Sequence, residues 1–163
     1  RLLSLKNIRE DGMIDNDSFE DFISNEDLDQ HYFTKAGDVL MRLNKPFTAV
    51  YIDQEYAGLL VPSYFAIIKV DQTKALPEYV AWYLNTTTVK RELERTQAGS
   101  RIPVTNQGAI RKIPISLLPI AKQQALVELY RRHQREKMLY EQLIREKELF
   151  FQGVAQRLLQ GAE

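Results

Sequence analysis

Eleven side chains in stretches that read as loops share one kind of chemistry: Arg42, Asn44, Lys45, Gln54, Tyr56, Tyr64, Ser100, Arg101, Thr105, Asn106 and Gln107. Arg, Asn and Gln carry the paired hydrogen-bonding groups that match the edges of guanine and adenine, whereas Lys, Ser and Thr suit phosphate oxygens. Polar loops occur in any soluble domain, so composition alone leaves a nucleic-acid reader and an ordinary solvated surface both open.

Other chemistries are poorly supplied. Nucleophilic catalysis needs a base held beside a nucleophile, and the two histidines are His31, in an acidic segment, and His133, within "YRRHQREK". A polar heptad residue that pairs across helices is the preferred reading of His133. Asp15, Asp17, Glu20 and Asp21 lack the spacing and the closing bidentate Glu of a calcium loop. With no cysteine there are no disulfides and no thiolate metal sites, which fits a cytoplasmic chain. "NKPF" (Asn44 to Phe47) is reminiscent of the Asn-Pro-Pro-aromatic motif of adenine methyltransferases, but Lys45 stands at its second position and no glycine-rich loop follows a strand to hold a methyl donor. A strand-connecting turn through Pro46 is preferred, and no cofactor or metal is expected.

These loops must be positioned by the elements between them. At 163 residues, with 44% hydrophobic and 27% charged residues, the chain has material for one compact domain, or for a smaller domain and one long projecting element. No apolar run approaches the ~20 residues that span a bilayer. Residues 1–30 hold 9 acidic and 3 basic side chains, and residues 31–163 hold 13 and 19, so a formal net charge of +0 conceals a polarised chain. Without an initiating methionine, Arg1 is expected to mark a trimmed or processed start.

The first 33 residues, with Asp11-Gly12 as a turn signal, predict short strands or turns. "GDVLMRL", "FTAVYI" and "GLLVPSYFAIIKV" predict four or so strands in a small curved sheet. "LPEYVAWYLN" predicts a helix with Pro77 in its first turn, and "TTTVKRELERTQ" a second one carrying Lys90, Arg91 and Arg95. Thr105 or Asn106 is placed to cap a one-turn helix through Ile110. "KIPISLLPIAKQQALV" then sets a short strand between Pro114 and Pro119 and runs directly into a helix of about 40 residues, ~60 Å long at 1.5 Å per residue. Its heptad seam is Leu126, Tyr130, His133, Tyr140, Ile144, Phe151, Val154 and Leu158, with Lys137 and Lys147 as further breaks. The fold class is α+β: a small, curved, β-rich domain with short helices over residues 1–118, then a long coiled-coil helix over 119–163.

The sequence resembles the specificity subunit of type I restriction-modification systems. The resemblance rests on "GDVLMRL" (37–43), "LPEYVAWYLN" (76–85), "GSRIPVTNQGAIRKIPISLLPIAKQQALV" (99–127) and the charged helix that follows. The last block resembles the passage from a target-recognition domain into a conserved spacer helix, with Pro114, Pro119, Gln123 and Gln124 at the matching places. Lys122 departs from the acidic residue common there, and the length departs more, because such subunits usually carry two recognition domains and two conserved helices.

The resemblance implies a half-subunit, or a fragment of a whole one, that reads double-stranded DNA and performs no catalysis. Methyltransferase subunits, and in the larger complex a restriction subunit, would bind the spacer. The unpaired seam would make a homodimer that reads a palindromic bipartite site. Two other readings compete: an adaptor or assembly module with a globular head on a coiled-coil stalk and no DNA role, and an enzyme with a degraded methyltransferase motif.

Overall fold

The computed structural model describes residues 1–16, 19–25, 27–95 and 105–160. It divides into two compact units, Arg1–Gln124 and Ala125–Glu163. At the centre of the first is an antiparallel sheet of three strands, β1 (Asp38–Arg42), β2 (Ala49–Tyr51) and β3 (Phe65–Lys69), in the order β2-β1-β3. Leu40 faces Val50 on one side and Ile67 on the other, which fixes both registers.

β1 is apolar at three consecutive positions, Val39 to Met41, because both faces of the sheet are covered. Successive side chains of a strand point to opposite faces. Val39 and Met41 join a cluster with Phe47, Ala49, Val80, Ala81, Leu84, Val89 and Leu93, while Leu40 joins Leu3, Ile8, Val50, Ile52, Leu59 and Phe65. The first cluster is closed by two helices, α1 (Pro77–Leu84) and α2 (Thr87–Arg95). The second is closed by the N-terminal segment and the chain after β2.

Gly37 and Asp38 have separate tasks where β1 begins. Gly37 sits at φ +90°, and a Cβ there would meet the Gln72 amide at 2.9 Å. The buried Asp38 carboxylate accepts from the Lys35 N–H at 2.9 Å and from Lys69 Nζ at 2.6 and 2.7 Å.

Where α1 meets the sheet, Asn85 substitutes for a neighbouring strand. Its Oδ1 accepts from the Ala49 N–H at 2.9 Å and its Nδ2 donates to the Ala49 carbonyl at 2.7 Å. Both backbone groups of Ala49, on the outer edge of β2, are thereby satisfied.

The expected helices over 76–85 and 86–97, the one-turn helix and the long helix are present as α1, α2 (its last two expected residues lie outside the described ones), α3 (Gln107–Ile110) and α4 (Ile120–Gln160). Asn106 is the cap of α3, its Oδ1 accepting from the Ala109 N–H at 2.9 Å. The strands are fewer than expected. "GLLV" makes only isolated bridges, Leu60 with Leu2 and with Phe33, and the described residues of the N-terminal segment include the 3-10 turns Leu5–Asn7 and Gln30–Tyr32, with isolated bridges at Leu2–Glu20 and Ile8–Ile14.

The proline-bracketed segment is not a strand either. Residues 113–119 have no regular secondary structure and join no ladder. Pro114 and Pro119 each lack a donor, so a ladder over the four residues between them would be stopped at both ends. The segment is held instead by side chains. The Tyr79 hydroxyl donates to the Ser116 carbonyl at 2.5 Å. The fully buried Gln123 accepts from the Leu76 N–H at 2.8 Å and donates to the carbonyls of Lys74 at 3.2 Å and Leu118 at 2.7 Å. The first turn of α4 is thus latched, within the first unit, to the residues that start α1.

From Arg131 onward α4 is largely exposed. Tyr140, Ile144, Phe151, Val154 and Leu158 of the seam are exposed, as are Leu139, Leu143 and Phe150 beside them. Among the described residues, no helix is long and apolar enough to cross a membrane.

Candidate functional site

Leu43, the residue after β1, gathers three separated segments. Its N–H donates to the Tyr64 carbonyl at 2.9 Å, and its carbonyl accepts from the Thr105 N–H at 2.6 Å. Arg42, Asn44 and Lys45 are thereby brought to the same end of the sheet as Tyr64, Thr105, Asn106 and Gln107. The turn itself is closed by the Arg42 N–H on the Thr48 carbonyl and the Phe47 N–H on the Asn44 carbonyl, both 2.9 Å. It contains a cis Lys45-Pro46 bond and places Phe47 at φ 53°. That left-handed conformation costs an L residue roughly 1–2 kcal/mol, and burial of the Phe47 ring in the α1-side core offsets it.

The turn is stiffened by the residue that begins it. Arg42 Nε donates to Asn44 Oδ1 and Nη2 to the Lys45 carbonyl, both 3.3 Å. Burial pushes the Arg42 guanidinium down from its usual value and the Glu10 carboxylate acts the other way; it stays charged at neutral pH. Lys45 Nζ lies 3.0 Å from Glu94 Oε1 of α2. Tyr64 is partly exposed and its ring centroid is 5.0 Å from that of Phe65. Burial, and secondarily Glu20, raises its phenol above the ordinary value.

Thr105 is buried, so its part here is the backbone bond to Leu43; its hydroxyl, like that of buried Thr48, has no hydrogen-bond partner among the described residues. Asn106 commits its Oδ1 to the α3 cap, which leaves the amide NH₂ as its outward-acting group. Gln107 is exposed.

Gln54 and Tyr56 belong to a different place. They lie in the turn after β2, at the opposite end of the β1–β2 ladder, where Asp53 Oδ1 accepts from the N–H groups of Glu55 and Tyr56 at 2.9 and 3.3 Å. Burial raises the Tyr56 phenol above its usual value, with Glu55 adding to the effect. Ser100 and Arg101 lie outside the described residues, as does Asp17.

Lys90 was noted in the sequence but not placed in the site. It is half-buried on α2, its ammonium pushed down by burial, with the charge of Glu10 acting the other way as it does on Arg42. The signal for it was its position one turn before Glu94 on one helix face.

His31 sits 2.7 Å from Asp29, whose carboxyl is held below its ordinary value chiefly by the His31 backbone N–H. Among the described residues no three His, Cys, Asp or Glu side chains are grouped to hold a metal. The arrangement at the Leu43 end is two cations, three amides and an aromatic ring gathered around a stiff turn, with no paired base and nucleophile among the described residues. It is suited to recognising a polar, anionic surface.

No family profile and no curated protein matches the chain. Solved structures do. The HsdS subunit from Thermoanaerobacter tengcongensis superposes with a TM-score of 0.55 at 18% identity, over 72% of this chain and 32% of that one. A chain solved in work on complex assembly and conformational transition of the type I R-M system gives a TM-score of 0.58 at 15% identity, over 67% and 29%. The chain therefore has an HsdS-like α+β fold and spans about a third of the length of the structures it matches.

Proposed function

We propose that this HsdS-like chain is a sequence-specific DNA reader, the non-catalytic specificity half-subunit of a type I restriction-modification complex. Residues 1–118 are its recognition domain and 119–163 its spacer and dimerisation helix. The observation that carries the proposal is the convergence on Leu43: the shared fold puts Arg42, Asn44, Lys45, Tyr64, Asn106 and Gln107 at one end of the sheet. Arg42 and the amides would read base edges, and Lys45 a phosphate. Gln54 and Tyr56 form a separate contact or none.

The second unit supports the partners assigned to it. On a helix advancing 100° per residue, Leu139, Leu143, Phe150, Val154, Tyr140, Leu158, Phe151 and Ile144 fill an arc of roughly 140°. A two-helix coiled coil needs only the narrower seam. The stripe therefore suits a second copy of the chain with room left for helices of methyltransferase subunits, and through them a restriction subunit. Two copies would read a bipartite palindrome. The working compartment is the cytoplasm, where the DNA is.

The test is selection from a random duplex library at two salt concentrations, with sequencing of the retained DNA. Enrichment of a split motif, with affinity falling as salt rises, is the expected result. Absence of enrichment at low salt overturns the proposal in favour of an adaptor.

A further inference from the structure

The cations at the Leu43 end are not left bare. Lys45, in the turn after β1, reaches Glu94 near the end of α2 at 3.0 Å, and both side chains are about half exposed, 51% and 48%. Such a pair contributes little to folding, so its effect falls on what Lys45 does. The Lys45 backbone is itself set by Arg42, whose Nη2 donates to its carbonyl. One turn before Glu94, Lys90 occupies the same face of α2, and the Glu10 carboxylate acts on both Lys90 and Arg42. Two carboxylates 84 positions apart in sequence, Glu10 and Glu94, thus act on three cations, Glu94 by direct contact with Lys45 and Glu10 through its charge on Arg42 and Lys90.

Sequence-blind affinity for DNA comes almost wholly from cations meeting phosphates. A carboxylate already holding one of those cations lowers that affinity, because the duplex must displace it.

Resting on the DNA-reading function proposed above, we propose that Glu94 is an anionic keeper of Lys45. It holds the ammonium in the free protein and competes with duplex phosphates for it, so that weak binding to unrelated sequence is suppressed.

The test uses the intact chain and a random-sequence duplex, with binding followed by fluorescence anisotropy. Glu94→Gln should bind about 3- to 10-fold tighter than the parent at ~50 mM salt, with the gain fading by ~200 mM as counterions screen the site. Lys45→Gln should bind more weakly. In the Lys45→Gln background, Glu94→Gln should bring no gain, the non-additivity expected of residues that act as a pair. A Glu94→Gln chain that binds no tighter, or a gain just as large without Lys45, overturns the inference and leaves the DNA reading standing. Failure of the parent and every variant to bind any duplex at low salt brings down the DNA reading, and this inference with it.

Discussion

Gln123→Leu removes a buried amide and nearly conserves its volume, so its cost is almost purely that of lost hydrogen bonds. Three backbone groups are affected: the Leu76 N–H, bonded at 2.8 Å, and the carbonyls of Lys74 and Leu118, bonded at 3.2 and 2.7 Å. Gln123 has no exposed surface through which water could replace it. A buried polar group left unpaired costs ~1–3 kcal/mol. The N–H, which has one donor and no alternative, bears the most; the carbonyls bear less. Allowing ~1 kcal/mol for the added apolar burial of leucine, the net loss is ~2–4 kcal/mol. That is a large share of the ~5–15 kcal/mol typical of a domain, yet it leaves the chain folded. Trp82, the sole tryptophan, lies in the helix whose start Gln123 holds, so its fluorescence in a urea titration reports the right unit. Gln124→Leu is the control: the same chemical change one residue along, at an exposed position, expected within ~0.5 kcal/mol of the parent. If the two variants unfold with stabilities within that margin of each other, the latch does not exist as described. Gln123→Glu adds a pH test. A buried carboxyl facing two carbonyls has a folded pKa above its unfolded value, so its destabilisation should be greatest at neutral pH and relieved as pH falls.

Asn85→Leu leaves both backbone groups of Ala49 without their partner and should cost ~1–3 kcal/mol in the same titration; a cost near zero would mean that water reaches the β2 edge. Asn106→Asp should keep the α3 cap and the stability of the parent while weakening binding to the selected duplex by ~1–3 kcal/mol, whereas Asn106→Ala should lose both. Equal losses by Asn106→Asp on selected and random duplexes would assign the residue to phosphate. The Asp71 carboxyl, held down to about 2 chiefly by the Thr73 hydroxyl, should titrate by NMR near that value and move toward 3.8 in Thr73→Ala. Because its folded pKa is depressed, its contribution to stability is present above 3.8 and lost as pH falls toward 2. Sedimentation of the intact chain should give a dimer, and Ile144→Glu with Phe151→Glu a monomer with Trp82 unfolding unchanged; a monomeric parent at high concentration would assign the stripe to another protein.

What could be read in the sequence was whatever depends on near neighbours. Helix α1 follows from Pro77 at its first position and from apolar residues at helical spacing, and α3 from Asn106 three residues before the N–H it caps. The α+β class and the length of α4 needed nothing more than period and the absence of proline. Strand number was less legible, because a β-branched run pairs only where the tertiary fold supplies a neighbour. "GLLV" meets two neighbours at a single residue, Leu60, and so makes bridges rather than a ladder. The grouping of the site was invisible for the same reason: Tyr64 and Thr105 reach Leu43 across 21 and 62 residues, and no local pattern marks those hydrogen bonds.

The stretch from Lys112 to Val127 carries this argument furthest. Its two prolines suggested a stiff strand, and stiffness is present, but the strand is not. Proline sets the backbone torsion at 114 and 119, while the position of the segment comes from two side chains whose hydrogen bonds span long sequence separations. Tyr79 to Ser116 and Gln123 to Lys74 and Leu76 tie the segment and the first turn of α4 to the two ends of the same short stretch, 74–79. Each replaces a ladder with a bond that a single substitution removes. A sheet would have distributed the same anchoring over several backbone pairs and tolerated the loss of any one side chain. Tyr79→Phe, which removes only the hydroxyl, should therefore cost ~0.5–1.5 kcal/mol, and combined with Gln123→Leu it should cost less than the sum of the two, because each bond keeps the other's carbonyl partner in place and losing one already weakens the other. Simple additivity in the urea titration would show two independent contacts in place of one coupled anchor.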